Sequence, residues 1–375
     1  MDLCDPGGWR ARPLRALAAC ALLAACREPV RIERLAASVT EADLTGLWMA
    51  DDGAEGWAVG EAGTLLRFEA GRWAEAESVR WSDSGKLNDL AVGPTGAGLA
   101  VGTDGVIARL AEGKWSIDVQ LGSHDEVIEH FTERWERRAG RAASPADVFR
   151  LALPLSELPP FVGLQAVWAD ERADTAWLAA GSAGLLHYVR DAEVRRFEAR
   201  GLTVNDLWLD RDGRNGWAVG CIRLDASESG AKDGGEQIAF ARFSRERGWE
   251  LLRPQGRPGC GTAIAMAADG SKGWAVADEG SVLHFNGKRW KHACTGSERL
   301  NGVWAHPREN EAWAVGAQGK IVEIHGDPPS ACVGFETTGA SLNGIWLDAQ
   351  GAAGWAVGDA GTIVQITARP PGAKH

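Results

Sequence analysis

One short stretch, Gly-Trp-Ala-Val-Gly, limits what this chain can fold into more than any other feature. It stands intact at residues 56–60, 216–220 and 354–358, and in altered form at 98–102, 176–181, 273–276 and 312–316. Aligned on the position before the last glycine, the copies fall at 59, 101, 180, 219, 276, 315 and 357. The steps are 42, 79, 39, 57, 39 and 42 residues, a unit near 40 with two steps lengthened by insertions. A period of that size marks one supersecondary unit packed against its own copies, because a single unit cannot bury its apolar face alone.

Each unit opens with a Leu-Asn-Gly-aliphatic-Trp run or a variant of it: intact in Leu300 to Trp304 and Leu342 to Trp346, with Thr for Asn in Leu44 to Trp48, and eroded in the fifth unit to Thr262 to Ala265. Five units keep two Trp nine residues apart, at 48/57, 168/177, 208/217, 304/313 and 346/355, and these motif Trp are expected to be largely buried between blades. After the second run comes Gly-x-x-Gly, as in Gly60 to Gly63 and Gly358 to Gly361, which predicts a tight hairpin with positive φ. These glycines are not a phosphate loop, since no lysine stands at the required offset and no helix follows. A polar run ending in Gly-x-Trp closes the unit. Four short strands per 40 residues, seven times over, predict an all-β fold: a seven-bladed β-propeller spanning 44–367. The last unit lacks a fourth strand. Val30 to Leu35 alternates in polarity and is expected to supply it, so that the ring has no free edge.

Composition agrees: of the 18 Trp only Trp9, Trp81 and Trp135 fall outside the repeat, and 45% hydrophobic with 24% charged residues is ordinary for a globular protein. A net charge of -11 argues against a nucleic-acid partner, which needs a basic face. The N-terminus reads as an export signal over 1–25: Arg10, Arg12 and Arg15 precede a short apolar stretch, Ala16 to Ala25. Leu23-Ala24-Ala25-Cys26 resembles the bacterial lipobox, which implies lipid attachment at Cys26 and a cell-envelope, outer-membrane address with the lipid as the one membrane contact. Residues 26–43 then hold an anchor linker and the ring-closing strand, and 368–375 a tail. Cys221, Cys260, Cys294 and Cys332 remain, an even number that suggests disulfides with three possible connectivities. Cys221 follows strand two of blade four and Cys260 precedes strand one of blade five, at the same end of neighbouring blades, so these two are expected to pair.

The repeats resemble the BNR (Asp-box) propellers, in particular the photosystem II assembly and stability factor-like branch, whose units also carry GW-x-VG-x-x-G before a G-x-x-W turn. The resemblance covers 44–366 apart from the insertions. The Asp-box is eroded: Phe68-Glu69-Ala70-Gly71-Arg72-Trp73 and Phe285-Asn286-Gly287-Lys288-Arg289-Trp290 keep Gly and Trp but lack Ser-x-Asp. The resemblance implies binding rather than chemistry. Sialidases also carry Asp-boxes and use a Tyr nucleophile; Tyr188 is the only tyrosine here and reads as a third-strand position.

Two insertions, 122–163 and 221–237, emerge on one face. The first reads as a helical hairpin between blades two and three, with a capping box at Ser123 to Glu126 and a proline at the start of its second helix. It carries Phe131 and Trp135 with Arg134, Arg137, Arg138 and Arg141, residue types enriched at binding hot spots. The second spaces Asp225, Ser227, Ser229, Asp233 and Glu236 like a calcium loop, though without flanking helices, and a solvated loop is the expected reading. No catalytic set and no cofactor motif assemble. The expected function is a monomeric, non-catalytic envelope lipoprotein that binds an envelope protein or glycan. The alternative is a glycan-acting hydrolase or lyase at the channel mouth, for which two neighbouring carboxylates would speak.

Overall fold

The computed structural model describes residues 30–35, 38–76, 78–82, 85–120, 136, 163–190, 194–197, 201–224, 235–252, 256–325, 331–337 and 339–368. These form seven four-stranded antiparallel sheets, the blades of one propeller. Strand two is the centre of each blade, and its residues are buried throughout in Gly56–Gly60, Gly98–Gly102 and Gly273–Ala277. Both faces of that strand meet a neighbouring blade, so a run without polar alternation is what the position demands. The alanine of the motif (Ala58, Ala100, Ala218, Ala275, Ala314, Ala356) has no exposed surface and lets the sheets approach.

The first strand of the structure, Arg31–Arg34, pairs antiparallel with Ile363–Thr367 in the register Arg31↔Thr367 to Arg34↔Val364. The fourth strand of blade seven thus comes from the N-terminus, and the ring is closed by both ends of the chain.

The aromatic residues weld the junctions between blades. Trp217 of blade four packs against Phe285 and Trp290 of blade five, with centroids 4.7 and 5.5 Å apart. Trp177 meets Phe243 and Trp249 in the same way across junction three–four, and Trp355 meets Phe68 and Trp73 across junction seven–one. Strand-two Trp, strand-three Phe and strand-four Trp therefore form one recurring inter-blade cluster, and pairs of this kind add about 0.5–1.5 kcal/mol beyond their burial.

Three expectations need correction. The strand-one Trp (48, 168, 208, 304, 346) are only part-buried, unlike the buried strand-two Trp. They end at the face that carries the strand-one-to-two turns, where Trp168, for example, lies over Gly213 of the next blade. A Cβ at Gly213 would come within 2.7 Å of that ring, on a backbone already at φ +61. The two glycines of Gly-x-x-Gly also differ in role. Gly63 has φ +66, but Gly60 is needed because a Cβ there would overlap the carbonyl of Asp43. Finally, the second insertion is shorter than 221–237. Strands Asn215–Leu224 and Gly235–Ser244 run on as a ladder to the pair Leu224↔Gly235, since the alternation there continues outward.

Candidate functional site

The Asn of the Leu-Asn-Gly motif builds the wall of the central channel. In six blades strand one carries a register shift between the residues flanking this position, a bulge that frees the middle residue from pairing and re-aims its side chain. The side chain then donates to a backbone carbonyl at the start of the next blade. Asn88 Nδ2 reaches Leu164 (2.7 Å), Asn205 reaches Gly261 (2.8 Å), Asn301 reaches Leu342 (3.0 Å) and Asn343 reaches Leu44 (2.9 Å). The hydroxyls of Thr45 and Thr262 do the same toward Leu87 and Leu300. Blade three is the exception: Gln165 donates within its own segment, to the Gly163 carbonyl. There the junction is closed by backbone instead, with Gly181 and Val204 exchanging N–H···O bonds of 2.9 Å.

One step down the channel the wall is small, with Gly46, Ala166, Ala263, Gly302 and Gly344 around a cavity of about 190 Å³. Asp89 and Asp206 occupy the equivalent place in blades two and four. Asp89 Oδ2 accepts the Val167 N–H (2.9 Å), and Asp206 Oδ2 accepts the Ile264 N–H (2.8 Å). Burial pushes Asp89 up to about 6. Burial, reinforced by the Asp89 charge, pushes Asp206 up to about 8. Each aspartate extends the inter-blade tie to a second backbone group while holding a carboxyl group in a poorly hydrated place. In the sequence both stood in view, as Asp in place of the motif Gly.

Tyr188 has no exposed surface. Its hydroxyl donates to Asp118 and accepts from Arg109 (3.2 Å), whose guanidinium also donates to the Ala173 carbonyl (2.6 Å). Burial pushes the phenol up to about 12, away from the ionised form a nucleophile needs. This polar set fills junction two–three, where Leu99 replaces the motif Trp, and the tyrosine is a structural residue.

Two disulfides join neighbouring blades. Cys221–Cys260 links blades four and five with Cα atoms 4.6 Å apart, and Cys294–Cys332 links the outer strands of blades five and six with Cα atoms 6.6 Å apart. Of the calcium-spaced residues, Glu236 lies in strand three of blade four opposite Arg223, beside the first disulfide. Asp225, Ser227, Ser229 and Asp233 lie outside the described residues, as do Cys26, Phe131, Arg134, Trp135, Arg137, Arg138 and Arg141. In Asp210-Arg211-Asp212-Gly213, the Asp210 carboxylate accepts the backbone N–H of Arg214 (2.7 Å) and of Asn215 (3.1 Å), which makes it the organiser of a turn.

A larger hollow than the channel cavity lies elsewhere. Between blades three and four, on the face of the strand-one-to-two and three-to-four turns, a groove of about 670 Å³ has Trp168, Trp177, Phe197 and Phe243 as its floor. Arg172, Arg195, Arg211 and Arg245 stand around it with Asp170, Glu171 and Asp212, of which Asp170 is tied to its own turn and Glu171 to Arg211. Arg211 holds Glu171 at 2.9 Å. Phe197 is 37% exposed, the one exposed ring of Phe, Tyr or Trp among the described residues. Sequence reading missed this groove because its basic residues (three in or beside turns and Arg195 in a fourth strand) lie outside the repeating pattern.

With this geometry in hand, comparison places the chain among known propellers. Its architecture matches that of YCF48. A structure titled YCF48 bound to D1 peptide aligns with TM-score 0.59 and 15% identity over 91% of this chain and 97% of that one. YCF48 from Cyanidioschyzon merolae gives 0.56 and 14% over 90% and 98%. A catalytically inactive virginiamycin B lyase from Staphylococcus aureus, solved with quinupristin, gives 0.61 and 12% over 90% and 99%. No protein-family model and no curated protein sequence matches the chain. At these identities the likeness establishes the propeller fold.

Proposed function

We propose that this chain is a non-catalytic binding platform of the cell envelope, held by lipid at Cys26, which docks a protein partner on the turn face of its propeller. The observation that carries the reading is the groove between blades three and four, where an aromatic floor meets a rim of arginines. That combination is the one enriched where proteins bind proteins. A similar propeller bound to a peptide supports the choice of a protein partner. The alternative, a glycan-acting hydrolase or lyase, has Asp89 and Asp206 in its favour. Both carboxylates, however, are tied to backbone amides of the next blade, and the cavity before them is under a third the volume of the groove.

A photo-crosslinking amino acid at Phe197, with a control at Val333 on the outer edge of blade six, tests the reading in envelope extracts. Protease-sensitive adducts from position 197 and none from 333 are expected. Adducts that resist protease but yield to glycan-degrading enzymes would transfer the site to carbohydrate, and an absence of adducts at 197 would remove the groove from the proposal.

A further inference from the structure

A second groove of about 550 Å³ lies on the same face between blades one and two, with Trp48, Trp57 and Leu110 in its lining. Its charges have the opposite sense. Asp51, Asp52 and Glu55 stand on its edge, and Arg67, lying 5.7 Å from the centre of the Trp57 ring, is engaged by Glu69 at 3.5 Å. Among the described residues Asp51 and Glu55 make no ion pair, and on the other groove neither do Arg172 and Arg245. Arg211 lines both hollows, and the turns between them touch: Thr95 Oγ1 of blade two donates to the Glu171 carbonyl of blade three (2.6 Å), and Glu171 holds Arg211 of blade four. The two grooves are therefore one surface, crossed at Arg211.

Resting on the protein-binding reading above, we infer that this surface is a single polarised track for an extended protein segment: acidic residues beside a bulky apolar side chain seat at blades three and four, and basic residues beside a second apolar side chain seat at blades one and two. Two apolar floors of opposite surrounding charge need a ligand that carries both signs and two hydrophobic anchors at a distance. A polypeptide meets that requirement. An anionic glycan carries one sign only and would be repelled from Asp51 and Glu55. Exposed unpaired charges contribute modestly to affinity, but they fix orientation and penalise the reversed chain. The segment therefore binds in one direction.

The test is selection of peptides from a displayed random library on the purified soluble chain, followed by fluorescence anisotropy of a selected peptide and of the same peptide with its charged ends exchanged. The expected result is enrichment of peptides acidic at one end and basic at the other. Exchange of the ends should weaken binding at least tenfold, and the loss should shrink as salt is raised. Arg172→Glu with Arg245→Glu should abolish selection of the acidic end alone, and Asp51→Lys with Glu55→Lys that of the basic end alone. All four side chains are exposed, so the fold is expected to persist, and circular dichroism of each variant checks it. Selected peptides that bind equally well with ends exchanged, or that ignore both variants, overturn the track while leaving the crosslinking result untouched. Adducts at position 197 to a folded partner, with no peptide enriched, likewise overturn the track and retain the platform.

Discussion

Replacing Asp206 by Asn should change how stability depends on pH. In the folded ring Asp206 holds its proton up to about pH 8, far above the ordinary carboxylate value of 3.8, because burial and the Asp89 charge disfavour the ionised form. A carboxyl group raised in this way stabilises the fold most fully below the unfolded value, and that contribution is lost as pH rises through the folded value. Between the two, each pH unit removes up to ~1.4 kcal/mol. From pH 5 to pH 8 the limit is thus about 4 kcal/mol, and relaxation of the surrounding dipoles around the ionised group reduces it to about 2 kcal/mol. Asn has no charge to bury. It retains one of the two acceptor oxygens now bonded to Leu207 and Ile264, and the lost bond costs about 1 kcal/mol at every pH. The variant should therefore match the parent near pH 5 and exceed it by about 1–2 kcal/mol at pH 8. Urea midpoints of both proteins from pH 5 to 9, analysed with a common slope, give the two curves. Parallel curves would show that Asp206 is ionised and well solvated, and the account of the channel would fail.

Two further outcomes follow from other places in the ring. Within blade six, His325 lies between Glu311 (3.2 Å) and Glu323 (2.8 Å), and these two carboxylates push it up to about 9. Its contribution should be complete below about pH 6.5 and vanish as pH passes about 9, so His325→Ala should lower the Tm at pH 6 and leave it almost unchanged at pH 10. The Cys221–Cys260 bridge closes a loop with a sequence separation of 39, which chain entropy values at about 4 kcal/mol. The Cys221→Ser, Cys260→Ser double variant should lose a large part of that in urea unfolding, and an unchanged midpoint would show that the other inter-blade ties suffice.

The sequence carried the architecture because the structure is periodic. Seven copies of Gly-Trp-Ala-Val-Gly report seven buried central strands, and the missing last strand pointed to Val30 to Leu35 by elimination. The Asn of the motif was visible as a repeat, but its purpose was not. Only the bulge and the ring closure bring its amide to the next blade's carbonyl. Asp89 and Asp206 could be seen as departures from glycine, yet their raised pKa depends on a channel whose lining runs from Thr45 to Ile345. The grooves were illegible for a different reason. They are assembled from turn residues of adjacent blades, where Arg172, Arg211 and Arg245 obey no period. The Trp of strand one was misjudged because a linear pattern does not tell which end of a strand reaches a face.

The ring-closing strand also has a consequence for posture. Arg31 pairs with Thr367, the end of strand three, so the chain enters the ring at the face of the grooves and runs toward the face of the strand-two-to-three turns. If Cys26 is lipidated, only four residues lie between it and Arg31, a reach of at most about 18 Å when fully extended. The propeller would then be held at its rim, with the grooved side toward the lipid. Whatever enters the grooves would have to approach along the bilayer surface, and a protein segment lying just outside the membrane would meet the track before anything in the open compartment.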